Sequence, residues 1–269
     1  MSLLPMGAPF AGRFSPELLV AEGEHGRVYR AMDARSGRQV ALKVLASNPP
    51  AWLTERHLLE AALLQRVTHP ALARYVAHGE GWLATAWIEG EDLRETLRRR
   101  GSLDAHDACL VAARVADAVA AVHDAGAAHR DVKPANVRLA GGAPEGATLL
   151  DLGVARPLDR PARDPSGALI GTPRSMSPEQ ARGLTVGPAT DVWSIGASLV
   201  EMLTGAPPFD GDTLGELLAS IVLAPAPPVD RPGVSPALRA LVAALLEKDP
   251  HARPGPREVA ERCRAIARG

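Results

Sequence analysis

The stretch His129-Arg130-Asp131-Val132-Lys133-Pro134-Ala135-Asn136 sets a carboxylate, an ammonium and a carboxamide at fixed offsets in one short segment. Phosphoryl transfer asks for those three functions. One group orients the attacking hydroxyl, one neutralises phosphate charge, and one ligates a metal. Basic residues are used unevenly along the chain. Of its 30 Lys and Arg, only Lys43, Lys133 and Lys248 are lysine, and its only asparagines are Asn48 and Asn136. Lysine is a compact point charge on a flexible stem, whereas arginine is a broad planar fork. Three lysines in so Arg-rich a chain are either remnants or places where a guanidinium does not serve. Their positions decide between the two.

These side chains need elements to hold them. Leu18 to Val20, Val28 to Ala31 and Gln39 to Leu45 are short apolar stretches that predict strands, with Ser36-Gly37 as a hairpin turn. Ala51 to Val67 predicts an amphipathic helix, with apolar residues recurring at Leu59, Leu63 and Val67 and with Leu58 and Ala62 beside them. Ala73 to Ala77 and Trp82 to Ile88 read as strands again. Beyond Gly90 the pattern turns helical, at Ala105 to Ala125 and Thr190 to Thr204, with a short strand at Ala147 to Leu150. Thr213-x-x-Glu216 is a capping box, and Ser235-Pro236 places an N-cap before a first-turn proline. The Pro-rich stretches Arg156 to Pro173 and Ala224 to Pro232 are long connections. The expected class is α+β, a small β-rich lobe followed by a larger helical one.

Composition narrows the function classes. The 269 residues carry a formal net charge of −1, which argues against a nucleic-acid or membrane-surface binder. Two cysteines, Cys109 and Cys263, exclude a disulfide framework and fit a reducing cytoplasm. The longest apolar run, Leu110 to Ala128, is interrupted by Arg114, Asp117, His123 and Asp124, so no membrane segment is expected. Met1 to Arg13 lacks the basic start of a signal peptide.

On the His129 to Asn136 stretch the chain resembles the protein kinases, specifically the bacterial eukaryotic-like Ser/Thr kinases. Other landmarks of that family follow in order. Val40-Ala41-Leu42-Lys43 resembles the strand lysine that holds the α- and β-phosphates, and Glu60 stands where the family places its pairing glutamate, with Glu55 the lesser candidate. Asp151-Leu152-Gly153 resembles the metal-binding Asp-Phe-Gly. Gly171-Thr172-Pro173 and Ser177-Pro178-Glu179 are similar to the end of an activation segment. Asp191 to Gly196 resembles the buried helix that anchors the catalytic loop, and Lys248 to Pro254 the late motif whose Arg253 pairs with Glu179. All three lysines fall inside these motifs.

The resemblance implies a bilobal kinase fold over residues 13–269, with an N-lobe of about 13–88, a C-lobe of about 89–269 and an N-terminal extension of 1–12. It implies Mg-ATP chemistry on Ser or Thr hydroxyls of protein substrates, with no nucleic-acid partner. Asp131 would be the base, Lys133 would steady the γ-phosphate, Asn136 and Asp151 would hold Mg2+, and Lys43 with Glu60 would place the phosphates. The glycine loop is Ala21-Glu22-Gly23-Glu24-His25-Gly26-Arg27-Val28, with alanine at the first glycine position. Gly23 and Gly26 are expected where a Cβ would intrude on phosphate. Val28 and Ala41 would roof the adenine, Thr85 is the gatekeeper, Ala86 to Ile88 the hinge, Asp92 the ribose contact and Arg138 the floor. Thr172 would bond Asp131 and Lys133. Ser177 would cap a helix, leaving Ser166 and Ser175 as candidate phosphosites. His129 is expected to be a packed structural histidine. Ala21 and Arg138 are the departures on which the alternative rests, a pseudokinase that binds without turnover.

Overall fold

A computed structural model describes residues 4–23, 26–152, 156–157 and 173–269. Glu24, His25, Gly153, Ser166, Gly171 and Thr172 lie outside the described residues. The chain divides into two compact units, Met1–Ile88 and Glu89–Gly269.

The first unit is an antiparallel sheet with one helix. Strands β1 (Phe14–Gly23), β2 (Gly26–Asp33), β3 (Arg38–Leu45), β4 (Tyr75–Gly79) and β5 (Trp82–Ala86) lie in the order β1-β2-β3-β5-β4. Alternation does what period two requires: Tyr29, Ala31, Val40 and Leu42 bury one face, together with Phe14 and Ala84. The segment before β1 packs on that same core. Leu4 and Phe10 lie against it, and the Phe10 ring meets Trp82 edge-on with centroids 6.1 Å apart. Arg13 then clamps Asp33 through two nitrogens, at 2.6 and 2.8 Å.

Helix α1 (Ala51–Arg66) buries Leu53, His57, Glu60, Ala61, Leu63 and Leu64. Leu63 and Val67 are inside as the apolar pattern predicts. Leu58 and Ala62 are not: Leu58 is 53% exposed, and Ala62 is exposed as well. The inward stripe is instead completed by two polar residues, His57 and Glu60, the second because Lys43 pairs with it.

The second unit begins with β6 (Gly90–Asp92) and α2 (Leu93–Arg100), followed by the long α3 (Ala105–Asp124). Strands β7 (Ala127–Ala128), β8 (Val137–Ala140), β9 (Ala147–Leu149) and β10 (Arg156–Pro157) follow, with β6-β8-β9 forming one sheet and β10-β7 another. Helices α4 (Pro178–Ala181), α5 (Ala189–Thr204), α6 (Leu214–Leu223), α7 (Pro236–Leu245) and α8 (Pro256–Arg268) complete the described chain. α5 is buried almost all round, from Thr190 to Leu203 with Glu201 the exception. It ends at Gly205, which takes φ +79° where a Cβ would sit 2.2 Å from the Gly101 carbonyl. The Thr213 capping box and the Ser235 N-cap both form. Cys109 and Cys263 are both buried and free.

Candidate active site

In the first unit the strand register gathers the nucleotide candidates. Val28 stands opposite Lys43, and Thr85 opposite Ala41. Directly opposed residues share a face, so Val28, Ala41, Lys43 and Thr85 line one side of the sheet. All four are half-buried, while the other side of β2 and β3 is closed core. Lys43 Nζ donates to Glu60 Oε2 at 2.9 Å, and Glu60 is 3% exposed. Burying that carboxylate is tolerable only because the ammonium accompanies it. Glu55 is exposed. At the end of β5, the Ala86 amide donates to the Arg74 carbonyl at 2.8 Å and the Trp87 amide to the Gln39 carbonyl at 3.2 Å, which fixes the backbone leading to Ile88.

In the glycine loop, Ala21 and Gly26 meet different backbone constraints. Ala21 lies in extended β1 opposite Val28 and has no positive φ, so its methyl costs no backbone strain. Gly26 has φ +148°, and a Cβ there would fall 2.2 Å from the Val44 carbonyl oxygen. It is therefore glycine because β3 crosses it closely, whatever a ligand requires. A Cβ on Gly23 meets nothing within 4 Å.

In the second unit a buried carboxylate hangs the loop from α5. Asp191 Oδ2 accepts the His129 amide at 2.8 Å, and Oδ1 accepts the Arg130 amide at 2.7 Å. His123 Nε2, in the last turn of α3, lies 2.8 Å from Asp191 Oδ2. Burial pushes the Asp191 carboxyl up, but His123, His129 and the Arg130 amide together hold it below its ordinary value. Arg130 takes φ +67°, a conformation costing about 1–3 kcal/mol that the tether holds in place. No sequence signal marks His123, since a histidine at a helix end has many uses.

The loop closes on itself around Asp131. Lys133 Nζ donates to Asp131 Oδ2 at 2.7 Å, and Asn136 Nδ2 donates to Oδ2 at 3.0 Å and to the Asp131 carbonyl at 2.8 Å. The turn Pro134–Asn136 is one step of 3-10 helix opened by proline, which brings Asn136 back to Asp131. His129 is fully buried, accepts the Asp131 amide at Nδ1 (3.3 Å) and so carries its proton on Nε2, 3.3 Å from the Leu150 carbonyl. It braces the loop of residues 129–136 against the segment that leads to Asp151. The Leu150 amide donates to the Asn136 carbonyl at 2.7 Å, and Asp151 itself takes φ +43° with Leu152 fully buried behind it.

Around the site, Arg253 grips Glu179 through two nitrogens at 2.8 and 2.9 Å. Burial pushes Glu179 up, but Arg253 and the Thr190 hydroxyl bring it below its ordinary value. Ser177 caps α4 in a full capping box with Gln180. Ser175 sits half-buried in the turn Pro173–Ser175, and its carbonyl accepts the Ser194 hydroxyl at 2.9 Å.

A family profile described as Protein kinase domain matches residues 15–263. The chain belongs to the protein kinase family. This kinase domain is 38% identical over 254 residues to a probable serine/threonine-protein kinase, PkwA, of Thermomonospora curvata, covering 90% of this chain and 33% of the relative. It is 33% identical over 261 residues to the serine/threonine-protein kinase PknA of Mycobacterium tuberculosis (92% and 59%) and 35% identical over 280 residues to PkaA of Streptomyces coelicolor (97% and 51%). The chain thus spans between a third and three-fifths of the length of these relatives.

Two further candidates, Asp92 and Arg138, stand opposite each other where β6 pairs with β8. Asp92 is the N-cap of α2, its Oδ1 accepting the Glu95 amide at 2.9 Å, so one of its oxygens is already engaged. Arg138 lies in β8 opposite both Asp92 and Thr148, half-buried, so its aliphatic stem belongs to the sheet surface. Among the described residues no helix is long and apolar enough to cross a membrane.

Proposed function

We propose that this kinase domain transfers the γ-phosphoryl group of ATP to Ser and Thr hydroxyls of protein substrates in the bacterial cytoplasm, where ATP is supplied. The observation that carries the reading is the closed triad of Asp131, Lys133 and Asn136, held within 3.0 Å contacts in one loop tethered to Asp191.

Asp131 Oδ2 orients the acceptor hydroxyl and takes its proton as the hydroxyl oxygen bonds to the γ-phosphorus. The bond from that phosphorus to the bridging oxygen breaks, and ADP leaves with the electron pair. Lys133, already beside Asp131, supplies positive charge where the transferring phosphoryl group develops its own. Lys43 holds the α- and β-phosphates and is itself aimed by Glu60.

The donor set suits magnesium. Asn136 spends its Nδ2 on Asp131, which leaves Oδ1 as its free acceptor end, and Asp151 adds a carboxylate. A hard cation that keeps water and phosphate oxygens as its remaining ligands fits two such oxygen donors. When bound, Mg2+ would neutralise phosphate charge.

For the base, Val28, Ala41 and Thr85 supply the covering face in the first unit, with backbone groups of Ala86 and Ile88 for the adenine edge. In the second unit the uncommitted oxygen of Asp92 would take the ribose, and the stem of Arg138 would lie under the ring. Incubating the protein with Mg2+ and γ-labelled ATP plus a generic basic protein acceptor tests the reading. Label on Ser and Thr of the acceptor is expected. ATP binding with no transfer to any acceptor, or to the protein itself, would overturn it.

A further inference from the structure

Two polar side chains occupy the buried face of α1, and only Glu60 has a partner that explains it. His57, one turn earlier on the same face, is 3% exposed, and neither of its ring nitrogens makes a hydrogen bond of normal geometry. The groups that face it are the backbone of Trp82 and Gly79 where β4 turns into β5, Lys43 from β3 and His78 from β4. On α1 itself the neighbouring charges are Glu55, Arg56 and Glu60. Burial holds the His57 ring below its ordinary value, the Trp82 and Gly79 backbone opposes this, and Lys43 and His78 add to the depression.

We propose that His57 makes the seating of α1 on the sheet, and with it the Lys43–Glu60 pair, sensitive to acid. A proton taken up by His57 creates a second cation beside Lys43 in a buried space, where the Trp82 and Gly79 backbone offsets only part of the cost. The charge is relieved when α1 lifts and the imidazole reaches water. Glu60 leaves with the helix. The consequence for catalysis rests on reading Lys43–Glu60 as the pair that places the phosphates of ATP.

The sign follows from linkage. With α1 lifted, His57 titrates near its ordinary value of about 6.5; seated, it binds fewer protons. Seating is therefore fully stable above about pH 6.5 and weakens as pH falls below it. The opening constant grows as pH falls through about 6.5, by at most a factor of 1 + 10^(6.5 − pH), which is roughly elevenfold at pH 5.5 and roughly 1.1-fold at pH 7.5. His78, the other imidazole that faces His57, is bonded to the Tyr75 hydroxyl at 2.8 Å and to Gln65 at 3.0 Å near the surface.

Amide hydrogen exchange on the full chain, without nucleotide, at pH 5.5 and 7.5 tests this. After correction for intrinsic rates, protection of α1 should fall several-fold, and by no more than about tenfold, at the lower pH, while the buried α3 serves as an unchanged reference. His57→Phe should abolish the difference. His57→Gln, polar but neutral at both pH values, should do the same and guards against a misfitting phenylalanine. Equal α1 protection at both pH values in the parent, or a loss of the parent's size that persists in both variants, would overturn the proposal. Absence of phosphotransfer at every pH would count against the kinase activity alone, and the exchange comparison would still decide the role of His57.

Discussion

Asp191→Asn should cost about 3–4 kcal/mol of stability and slow catalysis at least tenfold. The carboxylate accepts on both oxygens: Oδ2 from the His129 amide and His123, Oδ1 from the Arg130 amide. A carboxamide has one oxygen and one NH2. Its best placement keeps the oxygen toward His129 and His123 and turns NH2 against the Arg130 N–H. A buried donor left without an acceptor costs about 1–3 kcal/mol, and the two surviving bonds lose the charge that roughly doubled their strength. The sum is a large part of a domain stability of about 5–15 kcal/mol. Arg130 would then relax from φ +67°, and Asp131, its neighbour, would lose its aim. Urea unfolding with kcat measured alongside reads both effects, the midpoint falling at unchanged slope. The depressed Asp191 carboxyl also gives the parent a stability term that is present above about pH 4 and lost as pH falls through the lower folded value; the variant lacks it. A loss below 1 kcal/mol with parental kcat would refute the tether.

Other perturbations separate the parts. Lys43→Arg keeps the charge but not the shape; misplacing the phosphates by about 1 Å should lower kcat/KM for ATP about a hundredfold, while parental kcat/KM would show that a guanidinium serves there. Gly26→Ala should destabilise the fold by about 1–3 kcal/mol because its Cβ meets the Val44 carbonyl, whereas Gly23→Ala should leave thermal unfolding unchanged and alter only ATP affinity; equal unfolding effects would refute the distinction. Lys248 lies over the stacked rings of Trp193 and Phe209, 4.8 and 4.2 Å from their centroids. Burial, then Arg253 and Arg182, push it down to about 8, so it penalises the folded state below that pH. Stability should rise between about pH 8 and 10.5 and this rise should vanish in Lys248→Met; an identical slope in the variant would exclude Lys248 as the source.

The proposed catalytic loop was legible because phosphoryl transfer demands particular residue types at fixed offsets, and Asp131, Lys133 and Asn136 do converge. Strands β2 and β3 were legible as short apolar stretches on either side of the Ser36-Gly37 turn, and burial alternates along the whole of β2. The caps at Ser177, Thr213 and Ser235 were legible because capping is local chemistry. The inward face of α1 was not, since two polar residues sit inside and Leu58 outside, a choice made by Lys43 on another strand. Strands β6 and β8 are three and four residues long, too short for a period to show. The difference between Gly23 and Gly26 depends on where β3 passes, which no local pattern records.

Asp131→Asn tests the central claim most directly. The two side chains are nearly isosteric, and only the carboxylate can take the hydroxyl proton and hold Lys133 by charge. ATP affinity and phosphotransfer should be measured on the same preparation. Phosphotransfer should be lost by a factor of about a hundred or more while ATP affinity and unfolding midpoint stay close to the parent's. Turnover within tenfold of the parent would contradict the assignment of Asp131 as the base.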